Sequence, residues 1–377
     1  SLRYFEDPEN SNYQAIIGKL DVFEAWENSV FTGPARPGKV WFHFSLQNRS
    51  DEDVWMDINN SNLTYIDIYK FNEGLILQDA AKMGCMMPEE KLNRTGYTFQ
   101  YLLADREDKG NNLFLIGVQT NLNYEVPIFV GSLMALTNNR NNYDYISSFV
   151  IGAFLLLFLY NVFIFFVTRD KIYLHYSAYL VTVLVVGSYL NNFPFIEDII
   201  GKNWAHFYLD TWLWLLFATT GVFTISYFDL KKTDPFFYNV IRVFIAAFIG
   251  FGIANLFVHL YYLANFYQIL ALLFYSTCLV LSYRLWFRGV RRARLYCIGW
   301  SFMMIGAMLY IAVYNGLIPY NPFTRNVSYI GTLIEILVFS IALGRRINDL
   351  KQEQVKLNES LSEKNKELVN LNDSLDS

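Results

Sequence analysis

The chain has 377 residues, 30 Lys and Arg against 34 Asp and Glu, and a net charge of −4. It is 54% hydrophobic and 18% aromatic with a mean hydropathy of +0.22, an average over one very apolar block and two ordinary flanks. This balance gives no reason to expect nucleic acid as a partner, and the three cysteines (Cys85, Cys278 and Cys297) form no CxxC or Cys/His spacing for a metal. Only Cys85 falls outside the apolar block, so no disulfide is available there.

Residues 1–136 read as an all-β domain, a sandwich or jelly roll. No signal peptide is visible at Ser1, and the sequence is expected to start either after a cleaved leader or at a trimmed end. In Val40–Leu46, Val40, Phe42, Phe44 and Leu46 fall on one face, with Trp41, His43 and Ser45 on the other. Further strands are expected at Val54–Ile58, Leu63–Tyr69, Tyr97–Leu103, Asn112–Gln119 and Ile128–Leu136. Asn-, Asp- and Gly-bearing turns separate them. Helical spacing enters only at Tyr13–Ala25. Trp41, Trp55, Tyr65 and Tyr69 sit on or near strands and are candidate ligand-binding aromatics, with core packing as their competing role. Asn48, Asn62 and Asn93 open glycosylation-type triplets. His43 is the domain's one histidine, no acid pair accompanies it, and no catalytic constellation is seen. Thr137–Asp144 (TNNRNNYD) reads as a short polar linker.

The apolar block follows at 145–346. Ile146–Thr168 is 23 uncharged residues closed by Arg169, Asp170 and Lys171. As a helix it spans roughly 34 Å, enough for a bilayer core of about 30 Å. Six more runs follow: Ile172–Leu190, Ala205–Phe228, Phe236–Phe257, Phe266–Leu285, Tyr296–Leu317 and Val327–Leu343. Seven spans put the ends on opposite sides. Loops on one side carry Arg169, Lys171, Lys231, Lys232, Arg288, Arg291, Arg292 and Arg294, and those on the other only Lys202 and Arg325. The positive-inside rule therefore sets the N-terminus outside and the tail in the cytoplasm. Trp204, Trp212 and Trp214 suit an interfacial belt. In a bacterium this is an inner-membrane, multi-pass chain.

Three polar residues inside the spans are candidates for a polar switch or small-ligand pocket: Glu335 near the middle of the seventh, Asp210 in the third and Asn161 in the first. A carboxylate in lipid costs about 2.5–3.5 kcal/mol on insertion scales, so these groups should face the bundle. Interhelical glue is the competing role.

From 347 to 377 the chain is polar, helix-favouring and free of Pro and Gly. In heptads, positions a are Ile347, Gln354, Leu361, Leu368 and Leu375, and positions d are Leu350, Leu357, Lys364 and Leu371. A solvated charged helix would not keep leucine at this period, so a coiled coil is expected, with a second copy of the chain as its simplest partner. The pattern stops mid-repeat at Ser377, as if an output module followed.

Several of these residues together resemble the bacterial seven-transmembrane receptors with diverse intracellular signalling modules. The outer part is similar through Arg3-Tyr4-Phe5-Glu6-Asp7-Pro8, Val40-Trp41, Asn48, Ile66–Tyr69 and Gly74. The spans are similar through Leu159-Tyr160-Asn161, Arg169-Asp170-Lys171, Tyr173-Leu174, Gly331, Glu335, Ser340–Leu343 and Arg346-Ile347. The resemblance implies a jelly-roll sensor for an extracellular small molecule, with carbohydrate one candidate, controlling a cytoplasmic output. It implies no cofactor and no enzyme within the residues given. The rival class is a transporter or channel with an accessory outer domain. Its usual inverted repeats and Gly/Pro-broken spans are missing here. No lysine in Val327–Leu343 could hold retinal.

Overall fold

The computed structural model describes residues 2–26, 30–33, 37–87, 94–95, 98–120, 124–190, 209–257, 264–314 and 317–375. The first 131 residues form β1 (Arg3–Asp7), α1 (Tyr13–Ile17), β2 (Glu24–Ala25), β3 (Phe31–Gly33), β4 (Lys39–Gln47), β5 (Val54–Ile58), β6 (Tyr65–Phe71), β7 (Leu77–Met83), β8 (Arg94–Thr95), β9 (Thr98–Ala104), β10 (Asn111–Gln119), β11 (Tyr124–Val126) and β12 (Ile128–Gly131). Six strands pair in the order β2-β1-β4-β10-β6-β7, four in the order β12-β5-β9-β8, and β11 pairs with β3. Every pairing is antiparallel.

Alternation builds the core. Val40 and Phe42 of β4, Ile66 and Ile68 of β6, and Phe114 and Ile116 of β10 point from the large sheet onto Met56, Ile58, Phe99 and Leu103 of the smaller one. All ten are at most 1% exposed. The large sheet's other face is covered as well. Ile16, Tyr13 and Ile17 of α1, with Leu20 and Phe23 after it, close over Trp41, Leu115 and Phe71. Asn12 caps α1 by accepting from the Ala15 N–H at 3.0 Å. The helical spacing read at Tyr13–Ala25 is thus one and a half turns followed by a 3₁₀ turn.

Beyond the sandwich stand α2 (Leu133–Thr168), α3 (Lys171–Leu190), α4 (Leu209–Phe228), α5 (Leu230–Thr233), α6 (Pro235–Phe257), α7 (Ala264–Phe287), α8 (Arg291–Tyr314), α9 (Pro322–Arg325) and α10 (Val327–Leu375). Seven of these, all but α5 and α9, are long and apolar enough to cross a membrane. They fall where the seven apolar runs lie; the run from 205 begins partly outside the described residues.

Two helices exceed their apolar runs. α2 has 36 residues, about 54 Å, and begins two residues after β12. The polar stretch 137–144, read as a linker, is helix. It contains neither Pro nor Gly, the Thr137 hydroxyl donates to the Leu133 carbonyl at 2.8 Å, and Arg140 reaches Thr98 of β9 at 3.3 Å. The strand expected at Ile128–Leu136 accordingly ends at Gly131. α10 has 49 residues, about 73 Å, and carries the seventh span without a break into the tail.

Aromatic packing fills the bundle, with Tyr176, Tyr227, Phe223, Tyr296 and Phe339 in mutual ring contact. Two glycines let α8 and α10 touch. A Cβ on Gly331 would lie 2.7 Å from the Phe302 carbonyl oxygen, and one on Gly306 would lie 2.9 Å from that of Val327. Small residues at such a crossing allow the backbones to meet.

Candidate functional site

Polar contacts around Glu125 and Asn62 join the sandwich to the bundle. Glu125 of β11, 9% exposed, accepts a 2.6 Å hydrogen bond from the Tyr320 hydroxyl, and Arg325 of α9 lies 4.0 Å from the same oxygen. The Asn60 amide holds β11 from behind by donating to the Glu125 carbonyl at 2.8 Å. The Asn62 amide donates to the Tyr189 carbonyl at the end of α3, 2.9 Å away. Tyr320, Arg325 and the buried Asn326 lie immediately before α10, and Asn326 accepts from Ser147 of α2 at 3.2 Å. A carboxylate on the sandwich thus grips the segment that leads into the seventh span.

Below this joint α3 presents tyrosines three residues apart, on one helix face. The Tyr179 hydroxyl donates to the Glu335 carboxyl, 3.1 and 3.2 Å from its two oxygens. Those of Tyr176 and Tyr173 donate to the backbone carbonyls of Ile336 and Leu343, each at 2.8 Å. The ladder ends in an ion pair at the tail side, Arg346 Nε to Asp170 Oδ2 at 3.0 Å. Asp170, Tyr173, Glu335, Leu343 and Arg346 all belong to the motifs read in the sequence. Tyr176 and Tyr179 were missed there, and the i, i+3, i+6 spacing of Tyr173, Tyr176 and Tyr179 was the available signal. A second clamp on the tail side holds α7 to the start of α6, with Asp234, 4% exposed in its side chain, bonded to Arg284 and Arg288 at 2.9 and 3.0 Å.

Two of the three intramembrane candidates have described side chains. Glu335 is 1% exposed and faces the bundle. Asn161 is buried too, but its amide donates back to the Leu157 carbonyl of its own helix at 2.8 Å, and its Oδ1 has no donor. The side chain of Asp210 lies outside the described residues, as does Trp204.

The four outer aromatics divide between sheets. Trp41 is fully buried, its ring lies over Gly117, and its indole N–H donates to Asp7 at 3.3 Å. Tyr69 stacks 4.4 Å from Tyr13 of α1. Tyr65, on the same face, is 40% exposed. It neighbours the Lys39–Asp67 ion pair of 2.6 Å on that sheet. Trp55 lies on the smaller sheet, half-buried, opposite Leu102 and Gly131. Asn48 and Asn62 are buried and bonded to backbone carbonyls, and Asn93 lies outside the described residues.

One titrating group sits between the sandwich and α2. Asp57 of β5 is 1% exposed and faces Gln100 across the strand pair. Burial raises its carboxyl above the ordinary carboxylate range, against the weaker pull of Thr98, Arg140 and Gln100. Its Oδ1 meets no donor. Among the described residues no three His, Cys, Asp or Glu gather to hold a metal.

The family described as 7TM diverse intracellular signalling matches residues 143–346. A second, described as 7TMR-DISM extracellular 2, matches residues 1–132. No curated protein matches the chain.

Proposed function

This chain belongs to the 7TM diverse intracellular signalling family, a membrane receptor-like signalling group, and from that membership we propose that it senses an extracellular small molecule through the sandwich and passes the event to a cytoplasmic output. A single path carries this reading: Glu125 of the sensor bonds Tyr320, and α10 leaves that same segment, crosses the bundle and continues unbroken to Leu375. Movement of β11 relative to the bundle would be felt at the head of α10. The tyrosine ladder and the Asp170–Arg346 pair fix α10 against α3, so it has discrete partners to exchange in a rotation or slide.

The tail is the output coupling. In the single chain Leu357 and Leu361 are each 63% exposed, and Val355 is 55% exposed. Such a leucine seam is stabilised by a partner helix, and a second copy of the chain supplies one with matching heptads. The receptor is a homodimer in the bacterial inner membrane, with its sandwich outside, its tail in the cytoplasm and any catalytic module beyond 377. The sensed molecule is a carbohydrate or similar polyol bound on the large sheet near Tyr65, where a ring and the Lys39–Asp67 pair supply stacking and polar contacts. Trp41 and Tyr69 lie on the same face, where α1 covers them beside the open part of the sheet.

Accessible-thiol labelling tests the arrangement. In intact cells a membrane-impermeant maleimide should label Tyr65→Cys, while Glu359→Cys should label only after permeabilisation. Labelling of both from one side would remove the receptor reading and favour the transporter one. A saturable thermal shift of the unaltered chain with a sugar from a glycan panel would identify the ligand class, and no shift with any would remove the carbohydrate assignment.

A further inference from the structure

A cavity of about 180 Å³ opens among the second, third, fifth, sixth and seventh spans, on the sandwich side of Glu335. Close-packed interiors leave few voids larger than a water molecule, and one of roughly 150 Å³ can take a benzene-sized guest. Tyr179, Tyr275 and Trp300 bring rings to its wall, and Tyr179, Thr220 and Thr332 bring hydroxyls.

The direction of those hydroxyls decides what the cavity suits. The Thr220 hydroxyl donates to the Leu216 carbonyl at 2.7 Å and that of Thr332 to the Ser328 carbonyl at 3.0 Å. Tyr179 donates to Glu335. With their hydrogens committed, all three oxygens offer a guest only lone pairs. Directly behind Tyr179 stands the Glu335 carboxyl, 1% exposed, with Tyr179 as its hydrogen-bond partner and no basic side chain paired with it among the described residues. A buried carboxylate without a counter-charge is costly. These acceptor oxygens, the ring faces and a carboxyl that a neighbouring cation would keep ionised suit an ammonium with an apolar body, and the Trp300 indole N–H adds a donor to the same wall.

We propose that this cavity is a binding site for a small monocationic amine of roughly six to ten heavy atoms. The ammonium lies toward the Tyr179, Thr220 and Thr332 oxygens and is held electrostatically by Glu335, with the apolar body among the rings. This site is separate from the sandwich and does not depend on what the sandwich senses. It touches both α3 and α10, so occupancy would bear on the ladder between them.

The test uses the purified full chain in detergent, with unfolding followed by exposure of the buried thiols Cys278 and Cys297 to a fluorogenic maleimide. Phenethylamine should raise the midpoint saturably, by about 3–5 °C at saturation. The neutral isostere 2-phenylethanol should raise it little. Glu335→Gln should abolish the difference between the two compounds. Gly187→Leu should abolish both responses by filling the cavity, because a Cβ there meets only the Tyr329 ring, at 3.5 Å, and ordinary contacts beyond. Equal responses to amine and alcohol would mean a plain apolar pocket and overturn the proposal. So would the absence of any saturable response, or an amine response that survives Gly187→Leu. If Glu335→Gln does not fold, the amine–alcohol comparison on the unaltered chain and the Gly187→Leu result decide the matter.

Discussion

Tyr179 and Glu335 stand or fall together. Removing the hydroxyl in Tyr179→Phe leaves a buried carboxyl without its donor, which should cost about 1–2 kcal/mol. Glu335→Gln in the same chain keeps the shape and removes the charge, so the double variant should recover part of that loss. Thiol-exposure melting of the four proteins measures the coupling, and strictly additive losses would mean that the two side chains do not interact. Asp57 titrates in the other compartment. Burial raises its folded pKa above the unfolded value, so its contribution favours the folded state at low pH and is lost as pH rises through the folded pKa. Asp57→Asn should therefore stabilise the sandwich at neutral pH, and the gain should shrink toward pH 4. Thermal exposure of the buried Cys85 thiol, with Cys278 and Cys297 replaced by alanine, reads this locally. Single residues were the hardest scale to read in the sequence. Glu335 was legible because a carboxylate in an apolar run has few places to go. The tyrosine ladder was not, because a hydroxyl bound to a backbone carbonyl leaves the same mark as an aromatic in a core. Asn161 gives its amide N–H to its own helix, and its Oδ1 has no donor among the described residues.

Among elements, α10 packs on α8, α2 and α9 and is bonded to α3, and its two glycines make opposite predictions. At Gly331 a methyl would collide with the Phe302 carbonyl oxygen at 2.7 Å, so Gly331→Ala should cost about 1–3 kcal/mol through overpacking. At Gly344 a Cβ would meet nothing within 4 Å, so Gly344→Ala should be neutral or stabilising by about 0.5–1 kcal/mol through helix propensity. Melting both variants separates close approach from mere backbone freedom. Span positions were plain in the sequence because an uncharged 20-residue run has one physical outcome. Strands with clean alternation, β4, β5 and β10 above all, were also plain. β7, LQDAAKM, was hidden because it is an edge strand with four consecutive exposed residues and little apolar period. β2, β3, β8 and β11 are too short to show any period. The stretch 137–144 was hidden by its asparagines, which favour turns locally, whereas contact with β9 keeps it helical.

In the whole molecule one carboxylate on the sandwich holds the head of one continuous helix. Order along the chain made the sandwich, bundle and tail visible in advance. The joint between them was not visible, because Glu125 lies 195 residues before Tyr320 and no local pattern links them. The most direct measurement is disulfide cross-linking at Leu361→Cys in native membranes, with and without Glu125→Gln. The account predicts a cross-linked dimer whose yield changes when the bond from Tyr320 is weakened, although the substitution lies on the far side of the bilayer. No dimer, or a yield indifferent to Glu125→Gln, would contradict it.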